Sequence, residues 1–198
     1  MTLTLRAANE SDQVAFRELF DEVARVDLGA LPEPVLSPLL DLQWRAFTQS
    51  LETYPGERTD LAIEPDGSVA GRVVLATFEQ NTRIIELALF ASARNQGLGT
   101  RVIEQLQMSA ASEAHSLRCH VKQGSPAERF YERRQFVRDG EPVPPAPSAH
   151  LASAPLVLAR SARHITTSNA RRRSAEPHGA QAGSAVYPIA ARRSAVAL

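Results

Sequence analysis

A glycine-rich turn, Arg94-Asn95-Gln96-Gly97-Leu98-Gly99, is the first feature of this sequence that could do chemistry. Its two glycines let a ligand approach the backbone closely. The free N–H groups at the start of the following helix, aided by the helix dipole, favour an anion such as a pyrophosphate. The turn is not a Walker A loop, since no Gly-Lys-Ser/Thr follows, and Val102 occupies the third glycine position of a dinucleotide-binding turn. Alternatively, the turn only connects a strand to a helix and binds no ligand.

The elements that must position this turn follow from apolar spacing and turn residues. Residues 3–7 alternate in polarity, Ser11 is a candidate N-cap, and Asp66-Gly67 is typical of a hairpin turn. Prolines indicate a loop over residues 28–38. The predicted strands are residues 3–7, 61–63, 69–78, 84–90 and 117–121, with one more after the last helix. The predicted helices are residues 11–26, 39–53, 97–114 and one that Ser125 caps. The order β-α-α-β-β-β-α-β-α-β predicts an α/β fold with a mixed sheet.

Together, the Arg/Gln-x-x-Gly-x-Gly/Ala turn, the strand and capped helix after it, and an exposed tyrosine resemble the GNAT superfamily of N-acetyltransferases. The resemblance covers about residues 3–138 and is densest at Ile84–Phe90, Arg94–Gly99 and His120–Glu132. It implies a mixed, mainly antiparallel sheet flanked by helices. In such a sheet the fourth strand splays from the fifth, and the pantetheine arm of acetyl-CoA lies in the gap.

The same resemblance implies which residues hold acetyl-CoA, the cosubstrate. The amides of the pantetheine arm would bond the backbone of Leu87, Ala88 and Leu89. The pyrophosphate would bind the backbone N–H groups of Arg94, Asn95, Gln96, Gly97, Leu98, Gly99 and Thr100. Ser125 stands where the family often has an asparagine near the pantetheine arm, although its role as the N-cap of a helix explains it equally well. No metal is expected, because the histidines lack the spacing of metal ligands.

Acetyl transfer to an amine needs a base, because an amine with a pKa of about 10.4 arrives protonated. Glu86 is the best candidate, since it is an isolated carboxylate in an apolar strand, where burial would raise its pKa. A structural ion pair of Glu86 with Arg72 or Arg83 is an equal alternative, and a water chain could replace a direct base. Glu79 is a weaker rival. The backbone N–H groups near Leu87 and Ala88 could stabilise the oxyanion.

By the same resemblance, Tyr131 is the acid that protonates the departing thiolate. A phenol with a pKa of about 10 can donate to a thiolate whose conjugate acid is near about 8.5. Alternatively, Tyr131 is only a core aromatic residue that packs beside Phe130. Helices and loops of the first half line the acceptor side in the family, so the acceptor would meet residues on or just after the second helix, although core packing explains Trp44 and Phe47 more simply. These residues are Gln43, Trp44, Phe47 and Tyr54.

After Arg138 the composition changes, and prolines between residues 142 and 147 replace the family's usual last strands. Proline cannot donate to a sheet ladder, so the seventh strand is predicted to be missing or displaced to about Leu156–Ala159. We expect a GNAT domain at residues 1–138 and a Pro/Ala/Ser/Arg-rich segment at residues 139–198 that is largely disordered. A frame shift in the gene after Arg138 would also produce such a segment. A free sheet edge would favour a homodimer.

Composition excludes several other classes of protein. The 198 residues lack an apolar run long enough to span a bilayer and an N-terminal secretory pattern, which predicts a cytoplasmic protein without membrane contact. The single cysteine, Cys119, excludes an intrachain disulfide. Arginine clusters at residues 171–173 and 192–193 lack interleaved aromatics, so nucleic acid is not the expected partner. We expect an N-acetyltransferase whose acceptor is a primary amine of a small molecule or peptide, with a noncatalytic acyl-CoA-binding module as the alternative.

Overall fold

The computed structural model of the chain describes residues 2–28, 31–122, 124–138 and 155–160, the last range by its backbone alone. The strands are β1 (Leu3–Ala7), β2 (Glu57–Pro65), β3 (Gly71–Phe78), β4 (Asn81–Leu89), β5 (Ser116–Lys122), β6 (Val137–Arg138) and β7 (Pro155–Arg160). The helices are α1 (Gln13–Leu28), α2 (Glu33–Glu52), α3 (Leu98–Ser112) and α4 (Pro126–Glu132), and short 3-10 turns lie at Glu10–Asp12 and Ala91–Ala93.

All of these strands form one sheet, in the order β1-β2-β3-β4-β5-β7-β6. Every neighbouring pair is antiparallel except β4 and β5, which are parallel. A parallel pair needs a crossover connection, and α3 provides it. The predicted mixed, mainly antiparallel sheet flanked by helices is therefore confirmed.

The last strand is displaced along the chain, which is one of the two predicted outcomes. β7 lies between β5 and β6 and pairs with β5 from Leu117 to Lys122. In the described part of the chain, β5 therefore has no free edge of the kind that a missing strand would leave for a homodimer. The predicted disorder, the frame-shift hypothesis and the arginine clusters concern residues 139–154 and 161–198, which lie outside the described residues.

Two apolar cores cover the two faces of the sheet. On one face, α3 and α4 pack against β3, β4 and β5, and Val102, Ile103 and Tyr131 lie in this core. On the other face, α1 and α2 cover β3 and β4, and Phe20 and Phe47 lie in that core. Side chains of one strand alternate between these faces, so each strand can send residues to either side.

The start of α2 differs from the prediction. The helix begins at Glu33 instead of Leu39, and Pro38 lies inside it. The Pro38 ring has no N–H to donate to the carbonyl of Pro34, which is why proline suggested a loop. Burial of several side chains along the helix offsets the lost hydrogen bond; they are Leu36, Leu40, Phe47 and Leu51.

The start of the first helical segment also differs from the prediction. Asn9 caps it instead of Ser11, because the Asn9 Oδ1 accepts the N–H of Ser11 at 2.9 Å. The Asp12 carboxylate accepts the N–H of Asn9 at 2.8 Å and completes a reciprocal cap. The predicted start of α4 is confirmed, with Ser125 at the N-cap.

Candidate active site

The central feature of the site is an opening in the sheet between β4 and β5. The two parallel strands pair from Asn81 with Ser116 to Ile84 with Cys119, and no pairing between them follows in the described residues. β4 continues to Leu89, and β5 continues while paired to β7. Among the described residues, the edge of β4 that faces β5 has no strand partner along Glu86–Leu89, the segment that contains the predicted pantetheine-binding residues Leu87, Ala88 and Leu89.

A bulge in β4 marks the start of this opening. Across β3, Val74 pairs with Glu86 and Leu75 pairs with Ile84, so Ile85 is the extra residue in β4. A bulge bends its strand and re-aims the side chains beside it. Here it places both Ile85 and Glu86 on the face that carries α1 and α2, since Val74 and Ile85 belong to that core.

The predicted anion-binding turn lies at the end of β4 and opens α3. Asn95 and Gly97 have positive φ values of 61° and 76°. The first hydrogen bond of α3 runs from the N–H of Arg101 to the carbonyl of Gly97 at 3.2 Å. The preceding N–H groups of the helix start, those of Leu98, Gly99 and Thr100, have no intrahelical acceptor. The geometry suits an anion at this turn, beside the end of the opening.

Packing explains the second glycine of the turn. A Cβ atom on Gly99 would lie 3.3 Å from the ring of Phe130 and 3.6 Å from Leu89. The absence of a side chain at this position therefore lets α4 approach the start of α3. At Gly97 a Cβ would meet nothing within 4 Å, so its positive φ is the reason for glycine there.

The Arg94 side chain holds the turn in place. Its Nε donates to the carbonyl of Leu89 at 2.8 Å, and its Nη2 donates to Glu22 Oε1 at 2.7 Å. The same Glu22 oxygen accepts the N–H of Ala91 at 2.8 Å. Glu22 lies on α1, so these bonds fix the turn to the helix on the other side of the sheet edge. Sequence reasoning did not single out Glu22, because nothing local connects it to a turn 72 residues away.

Arg134 is a second residue that sequence reasoning missed. Its guanidinium carbon lies 3.9 Å from the centroid of the Phe130 ring, its Nη1 donates to the Phe130 carbonyl at 2.9 Å, and its Nη2 donates to Thr100 Oγ1. Burial, and then the nearby charge of Arg133, lowers the pKa of Arg134. A guanidinium thus stands beside the first turn of α3, where it adds positive charge to the helix dipole.

Glu86 lies where β4 leaves β5, with its side chain 16% exposed. Its Oε2 is buried without a hydrogen-bond partner in the described structure, and lies 3.5 Å from Arg72 Nη1. Burial raises the pKa of Glu86 to about 7, although Arg72 acts in the opposite direction. A carboxyl group with this pKa can both take and hold a proton near neutral pH.

Arg72 is committed mainly to another carboxylate. Its Nε and Nη2 donate to the two Asp60 oxygens at 2.9 and 2.5 Å. Its guanidinium carbon lies 4.7 Å from the Phe16 ring centroid and 5.7 Å from that of Phe47. The structural alternative for Glu86, an ion pair with Arg72, is therefore present, but it is the longer and weaker of the two contacts that Arg72 makes.

Tyr131 lies on the opposite face of the sheet from Glu86. Its side chain is 7% exposed, so this tyrosine is buried and not exposed as predicted. Its ring stands edge-on to Phe130 and Phe136, with centroids 5.2 and 5.1 Å away. Burial, and then the neighbouring Cys119, raises the pKa of Tyr131 well above 10. The phenol stays protonated, as a proton donor must be, while its packing also fits the core aromatic of the alternative interpretation.

Ser125 acts as a helix cap in this structure. Its Oγ accepts the N–H of Glu128 at 3.4 Å, and Glu128 Oε2 accepts the N–H of Gly124 at 2.6 Å. Glu128 Oε1 also accepts Arg138 Nη2 at 2.7 Å. Ser125 is therefore the N-cap of α4, and its contact with a pantetheine arm stays a prediction.

The other predicted site residues include Glu79, Trp44 and Phe47. Glu79 is exposed in the turn between β3 and β4, at the opposite end of β4 from the anion-binding turn, so the structure does not bring this rival base to the site. Phe47 is buried as a core residue, and Trp44 packs on Phe20 with ring centroids 5.2 Å apart. No group of residues in the described structure could hold a metal ion.

Comparison with known families agrees with this arrangement. The sequence model of the acetyltransferase (GNAT) domain matches residues 58–138, the stretch that contains the opening, the turn and α4. This stretch is thus similar to a GNAT domain. The resemblance predicted from the sequence is thereby confirmed. No curated protein sequence matches the chain.

Solved structures share the fold of this chain. The PaiA N-acetyltransferase of Thermoplasma acidophilum, in complex with coenzyme A, is 12% identical with a TM-score of 0.59, over 81% of this chain and 99% of that one. The spermidine/spermine N-acetyltransferase SpeG of Vibrio cholerae is 15% identical with a TM-score of 0.57, over 84% and 96%. The ribosomal-protein-S18-alanine N-acetyltransferase of Escherichia coli is 14% identical with a TM-score of 0.56, over 81% and 94%. At these identities the likeness is one of fold. No helix among the described residues is long and apolar enough to cross a membrane.

Proposed function

We propose that this protein is an acyl-CoA-dependent N-acetyltransferase that moves acetyl from acetyl-CoA to a primary amine of a small molecule or peptide. The observation that carries the proposal is the opening between β4 and β5, which ends at the turn that opens α3 and has Glu86 beside it. The structural relatives support the same chemistry, since their names describe acetyltransfer to spermidine and to a ribosomal protein, and one holds coenzyme A.

The residues around the opening fit acetyl-CoA. The unpaired edge of β4 at Leu87, Ala88 and Leu89 offers backbone groups to the amides of a pantetheine arm. The N–H groups of the turn from Asn95 to Thr100 suit its pyrophosphate, whereas the N–H of Arg94 already donates to the carbonyl of Ala91 at 3.2 Å. Arg134 adds a cation there. When bound, acetyl-CoA supplies an activated acetyl group as a thioester.

Proton movement is assigned to two side chains. Glu86 takes a proton from the ammonium of the acceptor, which leaves a free amine to attack the acetyl carbonyl. Backbone N–H groups of β4 near Leu87 and Ala88 stabilise the negative charge that builds on the carbonyl oxygen. As the carbon–nitrogen bond forms and the carbon–sulfur bond breaks, Tyr131 donates its proton to the departing thiolate. The nitrogen loses its second proton to water, and exchange with water restores the Tyr131 phenol and the Glu86 carboxylate. No covalent bond to the protein is needed.

Calorimetry with CoA tests the cofactor half of this proposal. We expect one binding site per chain, and a folded sample that fails to bind CoA would end the proposal. A thiol-release assay with acetyl-CoA and a panel of primary amines tests the transfer. Binding of CoA without acetylation of any amine would instead favour the noncatalytic acyl-CoA-binding module.

A further inference from the structure

A second polar cluster lies on the face of α1 and α2, where β4 and β5 begin to part. Arg83 on β4 stands directly across from Arg118 on β5. Leu117 and Cys119 belong to the core on the face of α3, so alternation puts Arg118 and His120 on the face of Arg83. We call Arg83, Arg118 and His120 the basic cluster.

Arg83 is buried without an anionic partner in the described structure. Its side chain is 2% exposed, its Nη1 donates to Tyr54 Oη at 2.8 Å, and its guanidinium carbon lies 5.2 Å from the Phe78 ring centroid. Its Nε and Nη2 are buried and have no hydrogen-bond partner among the described residues. Burying a charge without a partner costs several kcal/mol, so a group that supplies negative charge here would stabilise the protein.

Arg72 is a buried arginine that, unlike Arg83, has carboxylate partners. It lies on the same face and is 4% exposed, but it binds the Asp60 carboxylate through two hydrogen bonds and has Glu86 at 3.5 Å. The Asp60 and Glu86 carboxylates thus both lie near Arg72. The Tyr54 hydroxyl is the single hydrogen-bond acceptor that the described residues give to Arg83.

The remaining members of the basic cluster are Arg118 and His120. Arg118 lies directly across from Arg83 and adds positive charge beside it. Both ring nitrogens of His120 are buried without a partner in the described structure. Burial, and then the charge of Arg83, lowers the pKa of His120 to about 4. A neutral imidazole still has one N–H to donate to an anion.

We propose that the basic cluster binds a carboxylate of the acceptor, so that the substrate class is an amine that also carries a carboxylate. Arg83 and Glu86 lie on the same face of β4, three positions apart, or roughly 10 Å by the strand rise. An acceptor with several bonds between its two ends could place the carboxylate at Arg83 and the amine at Glu86. Tyr54, whose hydroxyl accepts from Arg83, is partly exposed, so the proposal has the acceptor enter from the side of Tyr54. The amine half of this inference rests on the proposed function, while the carboxylate site does not.

Thermal unfolding tests the carboxylate site without any need for activity. The ligands are 6-aminohexanoate and its amide, 6-aminohexanamide, at equal ionic strength, because they differ only in the charge at one end. We expect the carboxylate to raise the Tm of the wild type by several degrees more than the amide does. Arg83→Gln should abolish this difference, while Arg58→Gln, which changes an exposed arginine of β2, should keep it. Equal shifts with both ligands, or an undiminished difference in Arg83→Gln, would overturn the proposal.

A second variant and a thiol-release assay complete the test of the carboxylate site. If Arg83→Gln fails to fold, His120→Phe takes its place and should reduce the same difference. In thiol-release assays, we expect the wild type to prefer the carboxylate over the amide by about 10-fold or more in kcat/KM, and Arg83→Gln to reduce the ratio to about one. Transfer to both at equal rates would refute the carboxylate site and leave the proposed function standing. Failure to bind CoA would refute the proposed function, and the thermal shifts would still decide the carboxylate site.

Discussion

Replacing Glu86 by glutamine should stabilise the protein relative to the wild type at neutral pH and lower its activity. Burial raises the pKa of Glu86 from 4.5 to about 7, which corresponds to about 3 kcal/mol between its two protonation states. Because the folded-state pKa lies above the unfolded-state value, protonated Glu86 stabilises the fold below pH about 4.5. This stabilisation is lost as the pH rises through about 7. Glutamine does not ionise, so Glu86→Gln avoids the loss.

Urea unfolding of the wild type and Glu86→Gln at several pH values from 4 to 8 measures this effect. We expect the free energy of unfolding of the variant, relative to the wild type, to rise by up to about 3 kcal/mol over this range. Glu57→Gln, which changes an exposed carboxylate of β2, is the matched control and should show no such trend. A difference between Glu86→Gln and the wild type that does not vary with pH would refute the burial argument.

The kinetic consequence of the same change tests the role of Glu86 as a base. We expect kcat/KM of Glu86→Gln to fall by about 10²-fold or more, with CoA affinity unchanged. The wild-type pH profile should rise through an apparent pKa of about 7, and the variant should lack this step. A variant that keeps the wild-type rate and profile would show that Glu86 only pairs with Arg72 and that water carries the proton.

Three further predictions concern the other residues of the site. Tyr131→Phe should slow acetyl transfer with little change in CoA affinity by calorimetry, and an unchanged rate would remove Tyr131 from the mechanism. Gly97→Ala forces a side chain into φ 76° and should lower the free energy of unfolding by about 1 kcal/mol, measured in urea, whereas an unchanged stability would contradict the reading of this turn. Arg134→Gln should weaken CoA binding several-fold at low salt, and by less at high salt, in calorimetric titrations. If Arg134→Gln and the wild type bind CoA equally well at both salt concentrations, Arg134 only packs on Phe130.

Local signals predicted most elements of the fold. The positive φ of Gly97 and the cap at Ser125 are properties of a few neighbouring residues, and they marked the starts of α3 and α4 within a residue or two. β4 begins three residues before its predicted start, at Asn81, because Thr82 and Arg83 are polar but buried. A hydrophobicity pattern cannot detect a buried arginine whose stabilising contacts come from other elements.

The candidate site was predictable where a single strand or turn carries it. Glu86 stood out as one carboxylate in an apolar strand, but its distance from Arg72 depends on the pairing of β3 with β4 and on the bulge at Ile85. Glu22 and Arg134 reach the turn from α1 and from the end of α4. Such contacts depend on how helices pack, which the spacing of residues along one element does not determine.

The two proposed catalytic side chains restrict where the reaction can take place. Glu86 belongs to the face of α1 and α2, and Tyr131 belongs to the face of α3 and α4. A closed sheet would keep them apart, because a paired strand separates its two faces. One reacting group can meet both only in the plane of the sheet, between β4 and β5, and beyond Ile84 these strands no longer pair with each other. The acceptor would then approach from the face that holds Glu86 and Arg83, while the thiol would leave toward Tyr131. Additional strand pairing between β4 and β5 beyond Ile84 would close the opening. Such a change should abolish acetyl transfer even if the Glu86 and Tyr131 side chains remain.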